Sequence, residues 1–264
     1  MPTPATGGEP ANYFVRLATL TLSSSAQLLR PVSHPQSAEA ARKLRYQALL
    51  LIALGAVAVV ALMFGFDATE IGLMPPRGAP ELWPVRILTD FGKAANVLWS
   101  VAGLLLVVVL VAPRLQAASR LRLLRFGTEL QFIFLAVLVP ILAGELIKWV
   151  VGRSRPFVGG EANAFNFSHF AGTQAYASFP SAHAITAAAF AFAVSALWPR
   201  ASVAMILYAL LIIASRLVLL AHHPSDVTAG AVIGVVGAMF VRYWFAARRL
   251  GFVIGQDGAI TPSN

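Results

Sequence analysis

Residues 46–66 read YQALLLIALGAVAVVALMFGF, a run of 21 residues with no Asp, Glu, Lys, Arg or His. About 20 apolar residues in a helix cross the roughly 30 Å hydrocarbon core of a bilayer. In lipid a spanning segment must satisfy its own backbone hydrogen bonds, which a helix does. The rest of the chain agrees. Its 264 residues are 58% hydrophobic and 12% charged, against about 45–50% and about 25% in soluble domains.

Five further apolar stretches follow: about Ala94–Ala112, Gly127–Val151, His183–Trp198, Ala201–Ala221 and Val227–Ala247. The expected fold is all-α, a polytopic membrane protein whose six-transmembrane-helix bundle occupies residues 46–249. Between the first two spans, Asp67–Lys93 carries Pro75, Pro76, Pro80, Pro84 and Trp83, which reads as an interfacial loop. Residues 1–45 are expected as an N-terminal cytoplasmic segment, interfacial or disordered, and residues 250–264 as a cytoplasmic tail. Within the former, Asn12–Leu29 fits period 2 about as well as period 3.6 and stays unassigned. No charged start leads into an apolar run and a cleavage site, which argues against a secretory signal peptide.

The chain has no cysteine, which excludes disulfides, thiolate metal sites and cysteine nucleophiles. Its net charge of +9 sits beside apolar segments instead of along one basic face, so it reads as a topology signal and not as a nucleic-acid surface. Arg42, Lys43, Arg45, Arg114, Arg120, Arg122, Arg125, Arg200, Arg248 and Arg249 share the side of the termini. The positive-inside rule makes that side cytoplasmic, and the many arginines and alanines favour a bacterial cytoplasmic membrane.

Three polar groups then fall at the opposite ends of the third, fourth and fifth spans. They are Lys148 with Arg155-Pro156, then Pro180-Ser181-Ala182-His183, then Ser215-Arg216 with His222 and Asp226. Ionisable residues at such positions are costly unless paired or used by a site. Lys148 and Arg155 are seven residues apart, about 10 Å along one face of a helix, and a lysine with an arginine fork suits phosphate oxygens. Both also suit snorkelling to the interface. Ser181 opens the fourth span, where backbone N–H groups and the helix dipole favour an anion; a plain N-cap is the simpler role. For His222 and Asp226, with Pro224 between them, a turn is expected in which the carboxylate accepts the proton of one ring nitrogen and leaves the other free to attack. A purely structural hydrogen bond would use the same pair. Glu145 is placed to pair with Lys148, Arg153 to support the cluster, and His223 to be structural.

Taken in order, Lys-x6-Arg-Pro, Pro-Ser-Ala-His and Ser-Arg-x5-His-x3-Asp resemble the three-part signature of the type 2 phosphatidic acid phosphatase (PAP2) superfamily, in its membrane lipid phosphatase branch. The motifs cover residues 148–226, with Ala182 where the family usually has glycine. The resemblance implies that His222 forms a phosphohistidine, that Asp226 orients it, and that His183 serves as acid and then base. It implies that Lys148, Arg155, Ser181, Ala182 and Arg216 hold the phosphate, with no metal and no cofactor. It also implies a lipid phosphate substrate, among them undecaprenyl diphosphate, phosphatidate, phosphatidylglycerol phosphate or a phosphorylated lipid A, met at the extracytoplasmic face. The aromatic loop of Phe157, Phe165, Phe167, Phe170, Tyr176 and Phe179 suits the headgroup level there. A transporter or scramblase is the alternative, since it too would use intramembrane charges. Neither oligomeric state nor the choice among the lipids follows from the residues.

Overall fold

Pro224–Ala247 forms the helix around which the others assemble, α9 in chain order. The computed structural model describes residues 12–156, 158–159 and 162–263. Its helices are α1 (Tyr13–Leu28), α2 (Ser37–Gly65), α3 (Asp67–Leu73), α4 (Trp83–Asp90), α5 (Ala94–Val111), α6 (Ala117–Val151), α7 (Ala182–Leu197), α8 (Ser202–Val218) and α9. Helix α9 packs against α2, α6 and α7, while α5 lies on α6 and α8 on α7. Gly230 and Gly234, one turn apart on α9, let the backbones of α7 and α9 meet. A methyl group at either position would stand 2.6 Å from the Ser181 carbonyl oxygen or 2.4 Å from that of Ile185. Small residues at this spacing bring membrane helices together.

Among the described residues, five helical segments are long and apolar enough to cross a membrane: Ser37–Gly65, Pro80–Arg114, Ala117–Val151, Pro199–Val218 and Pro224–Ala247. The expected fourth span, α7, is apolar but has 16 residues, about 24 Å of helix at 1.5 Å per residue. Ala184, Ile185, Ala187, Ala189 and Ala193 along it are buried; enclosed by its neighbours, it has little lipid-facing surface.

Three differences from the sequence expectation concern the segments outside the spans. The fold is mostly helical, as expected, but the expected tail holds one short hairpin: β1 (Phe252–Ile254) and β2 (Ile260–Pro262) pair antiparallel. Phe252 of this hairpin is buried, edge-on to Phe132 at 4.8 Å between ring centroids, so the expected tail contributes to the core at that end of the bundle. The expected loop Asp67–Lys93 contains α3 and α4, because Pro84 lies in the first turn of α4, where its missing N–H costs no bond. Asn12–Leu29, unassigned from the sequence, holds α1, capped by the Asn12 side chain, and α2 begins at Ser37, so residue 45 lies within a helix.

Candidate active site

The C-terminal end of α6, the N-terminal ends of α5, α7 and α9, and the last turn of α8 lie at one end of the bundle. Every site residue expected from the sequence is found there, but two expected geometries are different. Lys148 and Arg155 do not share a helix. Helix α6 stops at Val151 because Gly152 adopts a left-handed φ of 56°, and a Cβ at that position would stand 1.9 Å from the Ser168 carbonyl oxygen. Arg155 lies in the following loop, its backbone N–H bonded to the Ala175 carbonyl at 2.8 Å and its Nε to that of Gln174 at 3.0 Å. Lys148 pairs with Glu145, as their spacing suggested.

The second difference concerns His222. Its Nδ1 lies 2.8 Å from the backbone oxygen of Ser178 and 3.8 Å from Asp226 Oδ2. Helix α9 begins at Pro224, so Asp226 occupies the third helical position and its Oδ2 accepts from the backbone N–H of His223 at 2.8 Å. An acid at this position reaching back to the cap is one half of a capping box. Oδ2 also accepts from Ser178 Oγ at 2.6 Å, while Oδ1 accepts from Arg153 at 2.7 Å. The carboxylate thus holds the Ser178 segment, whose carbonyl in turn holds the ring.

Five side chains at this end keep polar atoms unpartnered among the described residues: Ser181 Oγ, His183 Nε2 and Arg216 Nε, and, on the side of Asp226, both ring nitrogens of His223 and both carboxylate oxygens of Glu70. Ser181 precedes α7 but does not cap it with its side chain; its N–H is bonded to the Asp226 carbonyl at 3.1 Å, tying α7 to α9. Arg216 gives one N–H to Thr89 Oγ1 at 2.7 Å. Arg216, His222, Lys93 and Arg155 all lie near enough to His183 to act on its charge. Buried polar atoms are nearly always bonded in native folds, so unpaired donors clustered among cations mark a place for an anion.

Burial is the main force on the two adjacent histidines. It pushes His222 down to about 4, helped by the charges of Arg216 and Arg155 and opposed by Asp226. His223, fully buried, is pushed down by burial too. Both are therefore neutral imidazoles near pH 7. With Nδ1 directed at a carbonyl oxygen, His222 carries its proton there. Its Nε2 has no hydrogen-bond partner among the described residues and bears the lone pair. Burial also lowers Arg155, together with the neighbouring charge of Arg77.

Several participants were not singled out in the sequence. Thr89 comes from the last turn of α4 and Gly92 from the turn between α4 and α5; a methyl group on Gly92 would touch the His183 ring at 3.4 Å. Ser178 gave no signal, because its contribution is partly a backbone carbonyl. Asp67 did give one: it is an acid at the edge of the first span, the same criterion that selected Lys148 and Arg216. Of the loop aromatics, Phe157 lies outside the described residues. Phe165, Phe167 and Phe170 are exposed at this end of the bundle.

Comparison with known proteins bears on this arrangement. The PAP2 superfamily model matches residues 129–250. A lipid A 1-phosphatase of Rhizobium etli is 33% identical over 225 residues, covering 81% of this chain and 91% of the relative. The chain belongs to the PAP2 superfamily. A second lipid A 1-phosphatase, from Rhizobium johnstonii, is also 33% identical and covers 81% of this chain and 87% of the relative. No solved structure matches the chain. This PAP2 member is a phosphatase and, with its apolar helices, an integral membrane protein. The enzyme reading therefore takes precedence over transport.

Proposed function

We propose that this PAP2 protein hydrolyses a phosphate ester or diphosphate of a membrane lipid through a phosphohistidine at His222. The observation that carries the proposal is the free Nε2 of a neutral, buried His222 set among unpartnered donors of Ser181 and Arg216. The Nε2 lone pair attacks phosphorus, forming an N–P bond as the bond to the leaving oxygen breaks, and His183 donates a proton to that oxygen. In the second half, His183 takes a proton from water as the water oxygen attacks phosphorus. The N–P bond then breaks, and inorganic phosphate leaves. Lys148, Arg155, Arg216, Ser181 and the N–H groups from Ala182 onward stabilise the charge of the transition state. Asp226 orients the ring through Ser178.

A groove supports a lipid substrate. Some 760 Å³ in volume, it runs between α4, α5, α6, α7 and α8, with walls that include Val97, Leu104, Leu130, Ile133, Phe190 and Val194. Asp90 and Phe91 at one end of it adjoin Gly92, which abuts His183. On α5 the lining runs from Asn96, at the site end, to Leu104, about 12 Å of helix, comparable with the roughly 15 Å of one leaflet's half of the hydrocarbon core. Acyl chains fit this groove while the phosphate sits among the cations. Among the candidate lipids, the likeness to lipid A 1-phosphatases favours a phosphorylated lipid A over undecaprenyl diphosphate, phosphatidate or phosphatidylglycerol phosphate.

The same proposal includes six spans, with α7 as the sixth, in a bacterial cytoplasmic membrane. Arg114, Arg120, Arg122, Arg125, Arg200, Arg248 and Arg249 gather at the end of the bundle away from the site, which supports a cytoplasmic side there and an extracytoplasmic site. Arg153, at the site end, pairs with the buried acids Asp67 and Asp226, so it does not oppose this orientation. The test is phosphate release from micellar lipid A phosphate and the three other lipids, in EDTA, by wild type and His222→Ala. Release confined to the wild type is expected. Release by the variant would overturn the nucleophile assignment, and none by folded wild type would overturn the lipid phosphatase reading.

A further inference from the structure

Arg153 is the largest fully buried side chain among the described residues, and it touches none of the unpartnered phosphate-facing atoms. Its Nε and one terminal nitrogen donate to the Ala164 carbonyl at 3.0 and 2.7 Å. The other terminal nitrogen donates to Ser225 Oγ at 2.6 Å and Asp226 Oδ1 at 2.7 Å. Asp67 closes the arrangement. This first residue of α3 accepts from Arg153 at 2.8 Å with Oδ2 and from the Ser225 backbone N–H at 3.0 Å with Oδ1, and it also bonds the Ser225 hydroxyl.

A continuous, buried path therefore runs from Asp67 through Arg153, Asp226 and Ser178 to Nδ1 of His222. Its electrostatics matter as much as its geometry. Arg153 alone would neutralise Asp226; shared with Asp67, the cluster of two carboxylates and one guanidinium keeps a net negative charge behind the histidine. A ring protonated at Nδ1 becomes cationic when its Nε2 bonds phosphorus, and that charge is stabilised by the surplus anion at low dielectric.

We propose that Asp67 is a positioning residue for His222, fixing Arg153 and through it the Asp226 carboxylate and the Ser178 carbonyl that hold the ring. This role rests on the reading of His222 as the nucleophile. It differs from mere compensation of a buried arginine in what it does to kinetics: the phosphate-binding side chains are untouched, so the effect falls on kcat and not on KM.

The experiment measures kcat and KM for phosphate release from micellar phosphatidate and lipid A phosphate by wild type, Asp67→Asn and Asp67→Glu, each first shown to be folded. Asp67→Asn is expected to lose about 100-fold in kcat with KM within about 2-fold of wild type, and Asp67→Glu about 10-fold, since it restores the charge but shifts it. Rapid-quench measurement of acid-labile phosphoenzyme should show its formation slowed in the same order. A kcat within about 2-fold of wild type in folded Asp67→Asn, or a loss appearing in KM alone, overturns the role. Should Asp67→Asn fail to fold, Asp67→Glu decides by the same criterion. A wild type that releases no phosphate overturns the function itself, an outcome distinct from an active wild type with unaffected variants.

Discussion

Nδ1 of His222 points at the backbone carbonyl oxygen of Ser178, 2.8 Å away, and the Asp226 carboxylate holds that same serine by its hydroxyl at 2.6 Å. Ser178 stands between the carboxylate and the ring. Ser178→Ala keeps the carbonyl but frees it from Asp226, so kcat should fall about 10-fold with KM unchanged. Steady-state kinetics on a lipid phosphate would check this, and an unchanged kcat would show that the serine hydroxyl does not transmit the orientation.

The pH dependence of turnover should reflect the burial of His222. Because burial lowers the imidazole to about 4, it stays unprotonated and nucleophilic down to that pH. The acid limb of kcat/KM assigned to it should lie near 4 and not near the ordinary 6.5. The same shift bears on stability: the folded state takes up its proton less readily than the unfolded chain, so stability from this group is present above about 6.5 and is lost as pH falls toward 4. A pH–rate profile, with unfolding followed over the same range, tests both.

Glu70 behaves oppositely. Buried on α3, with both carboxylate oxygens unpartnered among the described residues, it is pushed up to about 7 by burial and then by Asp67 and Asp226. Its folded form holds the proton more tightly than the unfolded chain, so its contribution to stability falls as pH rises from about 4.5 to 7. Glu70→Gln should flatten that slope and raise the melting temperature at pH 8. A variant no more stable than wild type at pH 8 would contradict this account of Glu70.

Gly152→Ala should be damaging out of proportion to one methyl group. It combines a left-handed φ with a 1.9 Å approach to the Ser168 oxygen, and a strained Gly→Ala of this kind costs about 2–4 kcal/mol. The displaced segment carries Arg153 and Arg155. Thermal unfolding and phosphate release should therefore decline together, whereas Gly103→Ala, with open space at its Cβ, should leave both unchanged.

Filling the apolar groove should separate lipid from soluble substrates. Ser100→Trp places a large side chain in the α5 wall, away from the cations. KM for a long-chain lipid phosphate should rise about 10-fold, while hydrolysis of a short-chain, water-soluble phosphate ester should stay within about 2-fold. Equal effects on both would remove the acyl chains from the groove.

Residues 46–66 and their like determined the membrane character directly, because a long uncharged run has few other stable places to be. Lys148, Ser181, His183, Arg216, His222 and Asp226 were also legible, since polar groups at span ends are costly and stand out against an apolar background. Sequence did not decide where a helix stops by backbone conformation, as at Gly152, or that a backbone oxygen of Ser178 would take the bond assigned to Asp226. Nor did it show that Asp67 meets Arg153 and Ser225 across the bundle, or that residues 252–262 form a hairpin packed on Phe132. Those features depend on which groups burial brings together and leaves in need of partners, and only the tertiary structure settles that.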